Sequence, residues 1–132
     1  MSLVPIDHTA QAKDPWRPGV LTRMIASAAV GTRQLCVFEQ WCEPGLGAPP
    51  HLHAVEEILT VLEGEAEIFV GDARQRVPAG QSVVVPAGLK HGFHNCGTGV
   101  LHVQAILASP VFEAAYDDQR ETPRRWLPGS AR

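Results

Sequence analysis

Two histidines two residues apart, His51 and His53, are followed four residues later by Glu57, and a third histidine, His91, comes further along the chain. Neutral imidazole and ionised carboxylate both offer lone pairs near neutral pH, because free histidine titrates near ~6.5 and glutamate near ~4.3. On an extended strand, side chains at i and i+2 share a face, about 6.6 Å apart along the backbone. His51 and His53 therefore project the same way. Glu57 lies at an even offset and joins them if the strand continues past Ala54 and Val55, where the chain could also bend. With His91 supplied by another strand, the three nitrogens and one oxygen could close round a metal ion. A His-x-His pair alone is common on solvated strands, so spacing leaves the metal-bound and solvated readings both open.

The elements that must position these groups are short and β-prone. Val20–Ser27 and Arg33–Cys42 are runs of strand character bounded by Gly31 and by Pro44-Gly45. Residues 56–71 read as two strands hinged at Glu63-Gly64, and Gly71-Asp72 turns into a short polar strand. Val83–Val85 is a buried run between two turns, His91 opens another short strand, and Val100–Ser109 closes the series. Turn signals every eight to twelve residues or so suggest an all-β sandwich or barrel. Pro110–Gln119 is the one stretch that resembles a helix, with Pro110 suitably near its start. The chain thus divides into an N-terminal arm over residues 1–19, a barrel over 20–109, and a short C-terminal helix and tail over 110–132. That tail reads as a mobile end or as an arm that packs on another subunit through Trp126 and Leu127.

Composition narrows the function classes. The 132 residues suffice for one domain with a real core, and eleven prolines with twelve glycines suit strands and turns better than helical bundles. A net charge of −3 gives no reason to expect nucleic acid or an anionic membrane as partner. No apolar run approaches the ~20 residues of a membrane helix. The N-terminus lacks the basic start and apolar core of a signal peptide, which leads to an expectation of a cytoplasmic protein. Cys36, Cys42 and Cys96 are odd in number with no C-x-x-C spacing, and are expected to be reduced and mostly buried.

A family resemblance is carried by two stretches. Gly45-x5-His51-x-His53-x3-Glu57-x6-Gly64 resembles the first cupin motif, and Gly80-x5-Pro86-x-Gly88-x2-His91-x3-Asn95 resembles the second, at every fixed position. The resemblance implies a single jelly-roll barrel, all-β, with His51, His53, Glu57 and His91 from neighbouring ribbons of a sheet holding one divalent transition metal ion in its lumen. Fe, Mn, Ni, Cu and Zn all suit such a nitrogen-and-oxygen set. Glu56 is the competing carboxylate, but strand alternation points it away from His51 and His53. Gly64 and Gly88 suit turns with positive φ, and Asn95 suits a strand end where backbone groups need partners.

Parity then assigns the surroundings. Leu59 and Val61 share the face of Glu57, and Phe93 that of His91, so all three are expected to line the substrate pocket. His94 should face outward or make a supporting hydrogen bond. His102 and Gln104 share a face of the closing strand and are expected in the pocket, unless the apolar set Leu101, Val103 and Ala105 takes that side instead. Three histidines and a carboxylate leave coordination positions open, as a catalytic metal requires, whereas a closed structural zinc site often uses thiolates. The resemblance implies a small-molecule metalloenzyme of the dioxygenase type, with Glu57 able to serve as a base. Its alternative is a non-catalytic module that binds or senses a small molecule through the metal. Small cupins resembling this chain are commonly dimers, so a homodimer that exchanges N-terminal strands is expected, and pairing would resolve an exposed sheet edge.

Overall fold

The computed structural model describes residues 3–130. Thirteen strands follow in order: β1 Asp14–Arg17, β2 Val20–Ala26, β3 Cys36–Cys42, β4 Gly47–Leu52, β5 Glu57–Glu63, β6 Glu65–Val70, β7 Ala73–Pro78, β8 Ser82–Val85, β9 His91–Asn95, β10 Leu101–Leu107, β11 Phe112–Glu113, β12 Ala115–Tyr116 and β13 Arg124–Arg125. Two single-turn 3₁₀ helices, His8–Ala10 and Ala28–Val30, are the helical elements among the described residues.

The strands form two facing sheets. One has the order β1-β2-β3-β10-β5-β8 and the other β12-β4-β9-β6-β7, with β11 and β13 paired separately at one end. The pairings between main strands are antiparallel, and sequence neighbours β5 and β6 lie in different sheets, as a jelly roll requires. The turn between them depends on Gly64, whose φ of +84° is open to glycine at little cost.

Between the sheets, alternate residues point inward. β3 buries Cys36, Phe38, Gln40 and Cys42 while Val37, Glu39 and Trp41 face out, and β10 buries Leu101, Val103, Ala105 and Leu107. Both thiols of β3 are free, and burial pushes each up to about 12, so they pack as small apolar groups. Cys96 is also free and half-buried.

One feature of the ends differs from the sequence expectation. Residues 110–119 do not form a helix: the segment crosses the barrel end as β11 and β12, burying Phe112 and Ala114 and exposing Glu113 and Ala115. This period of two seats Phe112 against Phe38 and Trp16, with ring centroids 5.6 and 5.0 Å away, and that packing outweighs a weak helix propensity. At the other end, β1 pairs with β2 of the same chain, placing Asp14 opposite Thr22 and Arg17 opposite Val20. Trp126 packs at home as well, 5.4 Å from the rings of both Trp16 and Phe38, while Leu127 stays exposed.

Candidate metal centre

The two motifs are tied together by backbone before any side chain is considered. The Gly45 N–H donates to the Asn95 carbonyl and the Asn95 N–H to the Leu46 carbonyl, each at 2.9 Å. Gly88, at φ +75°, donates to the His53 carbonyl at 2.7 Å. The Asn95 side-chain amide donates to the carbonyls of Cys42 and Gly99 at 2.9 and 2.7 Å and accepts from the Gly97 N–H at 2.9 Å. Asn95 therefore pins the end of β9 to β3 and to the turn that follows.

On this frame His51 and His91 are direct cross-strand partners in β4 and β9. The register slips between Ala48 and His51, so a bulge at Pro49-Pro50 sets the direction of the His51 ring. His53 follows β4 as the chain turns. The strand does not continue to Glu57. Instead the chain crosses to the other sheet, and Glu57 is the first residue of β5. The group thus draws on both sheets rather than on ribbons of one, which corrects the expected arrangement.

The four side chains are buried, with exposures of 6% for His51, 2% for His53, 2% for Glu57 and 1% for His91. One ligand atom from each can be chosen so that all lie within 4.8 Å of one another. Ligands about 2.1 Å from a common ion are at most about 4.2 Å apart, so small side-chain adjustments complete the set. Glu56 is exposed and takes no part.

The hydrogen bonds on the far side of each ring decide its tautomer. His51 Nδ1 donates to the Pro49 carbonyl at 2.7 Å, His53 Nδ1 to the Glu113 carbonyl at 2.7 Å, and His91 Nδ1 to the Leu89 carbonyl at 2.9 Å. A carbonyl can only accept, so each Nδ1 carries the proton and each Nε2 of a neutral ring is a bare lone pair. His53 Nε2, His91 Nε2 and Glu57 Oε1 are buried without a hydrogen-bond partner. His91 Nε2 nevertheless lies 2.9 Å from Glu57 Oε1, and His53 Nε2 lies 3.5 Å from Glu57 Oε2. Acceptors facing one another at this range repel unless something positive sits among them. A divalent cation meets that need, so these residues fit a metal.

Electrostatics run the same way. Burial pushes His51 down to about 3, with His91 adding to the effect, so its ring is neutral. Burial also pulls His53 down, but the Glu57 carboxylate and the Glu113 carbonyl outweigh it and raise the net value. For Glu57 burial works upward, and the adjoining His53 and His91 rings overcome it to hold the carboxyl at about 2. With no ion, a proton on His53 offsets the buried carboxylate; a cation takes over that role when bound.

A narrow cavity of about 20 Å³, room for one or two waters, opens beside His51, Glu57 and His91. Leu59 and Phe93 line it, in agreement with parity, whereas Val61 is packed into the core and does not. His102 and Gln104 face away from the cavity. The His102 ring stacks on Trp41 at 4.5 Å on the outer face and its Nε2 meets Glu39 Oε1 at 2.5 Å, while Val103 and Ala105 line the interior. The apolar face of β10 goes inward because it removes more hydrocarbon from water. His94 is half-buried in β9, opposite Glu67 of β6.

Sequence reasoning did not find Trp16, Arg17, Phe38, Gln40, Phe112 and Tyr116, which also line the cavity. Inward alternation in β3 could have indicated Phe38 and Gln40. Nothing local marks Trp16, Arg17 or Tyr116, which reach the mouth because the two chain ends fold across it.

No helix among the described residues is long and apolar enough to cross a membrane. Residues 39–107 match the family model described as the cupin domain. Among curated proteins, the chain is 28% identical over 104 residues to endoribonuclease YbeY of Myxococcus xanthus, covering 79% of this chain and 35% of that one. It is 25% identical over 104 residues to auxin-binding protein 1 of Arabidopsis thaliana, covering 71% and 52% respectively. The chain thus spans only about a third to a half of these relatives. Among solved structures, an oxalate oxidase in complex with the substrate analogue glycolate superposes with a TM-score of 0.74 at 22% identity, over 85% of this chain and 62% of that one. The buried His₃Glu group, the two-sheet barrel around it and the family match agree, and the chain belongs to the cupin family.

Proposed function

We propose that this protein is a mononuclear metalloenzyme of the dioxygenase type, acting on a small molecule that binds beside the His51, His53, Glu57 and His91 centre. The observation that carries the metal is the set of three Nε2-directed rings and one ionised carboxylate, buried together with their far nitrogens fixed by backbone carbonyls. A divalent ion held there supplies Lewis-acid polarisation of a ligand oxygen and, for Fe, Mn, Ni or Cu, a redox couple.

The chain's own residues do the rest. Leu59, Phe93, Val103 and Phe112 exclude water from the cavity, which strengthens every electrostatic interaction inside it. The carbonyls of Pro49, Leu89 and Glu113 hold the three rings in register. Glu57, ionised well below neutral pH, can accept a proton at a carboxylate oxygen from a bound substrate. The oxalate oxidase neighbour supports a small oxygen-rich substrate by fold likeness only.

One observation favours a second reading, a module that binds or senses a small molecule through the metal without turnover. Beyond the ligand set, the titratable side chains lining the cavity are Arg17 and Tyr116, so proton-transfer groups are few.

Elemental analysis of untagged protein, followed by oxygen uptake with Fe(II), Cu(II) or Ni(II) and a panel of diols, flavonols and diketones, separates the readings. One ion per chain with substrate-dependent oxygen uptake is expected. Ligand binding without uptake under any condition establishes the binding module, and protein that takes up no metal refutes both.

A further inference from the structure

The mouth of the cavity carries a charge arrangement that the metal centre does not require. Arg17, at the end of β1, lines the cavity with a side chain only 13% exposed. Its Nε and Nη2 both donate to the same oxygen of Glu121, Oε1, at 3.0 and 2.6 Å, and its Nη1 donates to the Gly47 carbonyl at 3.0 Å. This is not the two-oxygen fork that a guanidinium and a carboxylate form at their best. A second guanidinium lies close by. Arg125 stacks over the Trp16 ring at 3.9 Å, and its Nε is buried with no hydrogen-bond partner. Burial lowers the pKa of Arg125, but an arginine remains charged at any physiological pH. The half-buried charges at the mouth are therefore two positive against one negative; Asp14, the other acid near Arg125, is exposed and largely screened.

Tyr116 links this mouth to the metal centre. It sits opposite His51 in the pairing of β12 with β4, its ring 5.2 Å from the His51 ring, and it lines the same cavity as Arg17. Arg17, Tyr116 and the ligands His51, Glu57 and His91 thus border one cavity. Apart from Gln40, whose side-chain nitrogen donates to the Thr22 hydroxyl at 3.0 Å, the walls between are mostly apolar and suit a ligand's hydrocarbon middle.

We infer that the site takes an organic anion with a carboxylate at its outer end: Arg17 turns from Glu121 to grip that carboxylate in a two-oxygen fork, Arg125 adds its charge, and a short apolar body carries an oxygen-bearing group inward to the metal. The inference rests on the metal-centre reading and names the ligand class of that same site. A divalent ion less the Glu57 charge leaves the interior net positive too, so both ends attract an anion. Glu121 occupies the place of the ligand carboxylate in the closed form. It lies in a turn closed by its N–H on the Asp118 carbonyl at 3.1 Å, so a side-chain rotation releases Arg17. Such a movement is needed in any case, because the cavity as it stands admits only one or two waters.

The test uses full-length protein loaded with Co(II), with metal content measured first. Malonate, succinate and glutarate are titrated against the monocarboxylates of matching length, propionate, butyrate and pentanoate, following the visible Co(II) spectrum and the heat of binding. At least one dicarboxylate should bind roughly 10- to 100-fold more tightly than its monocarboxylate partner, the value of one charge-assisted forked contact. Arg17→Met should bring the two within about twofold at unchanged Co(II) content, and Glu121→Gln, which frees the guanidinium, should tighten dicarboxylate binding several-fold. Arg17→Lys, which keeps the charge but not the fork, should fall between and guards against misfolding in the methionine variant. A fully loaded protein that binds both series equally, or whose preference survives Arg17→Met, overturns the inference and leaves the metal centre standing. Failure to load Co(II) overturns the metal centre itself.

Discussion

Replacing His51 by alanine removes one of the four ligands and one hydrogen bond, that from Nδ1 to the Pro49 carbonyl, while leaving the barrel's packed interior in place. Four-ligand zinc sites bind with about 10–16 kcal/mol, so one ligand accounts for roughly 3 kcal/mol and its loss weakens binding by at least ~100-fold. That change can be read as heat stability. At ~2.1 cal/mol/K per residue, unfolding 132 residues carries about 0.28 kcal/mol/K of entropy. Metal at about a hundred times its Kd stabilises the wild-type fold by ~2.7 kcal/mol, which raises Tm by about 10 °C. The same free metal then stands near the Kd of the variant, contributing ~0.4 kcal/mol and about 1.5 °C. Calorimetry on stripped protein titrated with Zn(II) or Co(II), beside elemental analysis, measures both effects. Stripped His51→Ala should melt within a few degrees of stripped wild type, and Glu56→Ala, an exposed acid next to the ligand Glu57, should keep the full metal-dependent rise. A His51→Ala protein that holds metal at wild-type stoichiometry and shows the same 10 °C rise refutes the assignment.

Two further outcomes test the frame and the charge of the centre. Asn95→Ala strands two carbonyls and one N–H that the buried amide now satisfies, and should cost about 2–4 kcal/mol, or roughly 7–14 °C in Tm; a loss below about 1 kcal/mol would show that Asn95 is not the pin of β9. Metal-stripped protein should be most stable near pH 6.5, as followed by melting temperature across pH 3–9. Below that pH the unfolded chain protonates the residue-51 imidazole while the folded one, held at about 3, does not, so stability falls by up to about 1.4 kcal/mol per pH unit from this group. Above it, His53, whose folded value is raised, loses the stabilisation that its proton gives to Glu57. A profile that is flat, or that peaks near pH 4, contradicts these assignments.

The amino-acid sequence by itself determined the donor set and the β architecture, because both are written locally. His51, His53, Glu57 and His91 were singled out as candidate ligands by residue type, spacing and the resemblance of the two stretches to the cupin motifs, and Gly64 and Gly88 carry their backbone requirement in their own lack of a Cβ. Inward alternation likewise placed Leu59 and Phe93 at the cavity.

What only the tertiary structure decided depends on which surface each segment meets. Parity could put His102 and Gln104 on one face of β10 but not say which face was inside; burial of Leu101, Val103, Ala105 and Leu107 settled it. The same limit applied to residues 110–119, where the gain from seating Phe112 among Trp16, Phe38 and Trp126 exceeds the small helical preference of the local sequence. Glu57 reaches the histidines by crossing between sheets, and Arg17, Tyr116 and Glu121 meet at the mouth although Arg17 and Glu121 are 104 residues apart. Such meetings follow from the closure of the barrel, in which distant segments bury one another's apolar faces, and no short window of sequence contains both partners.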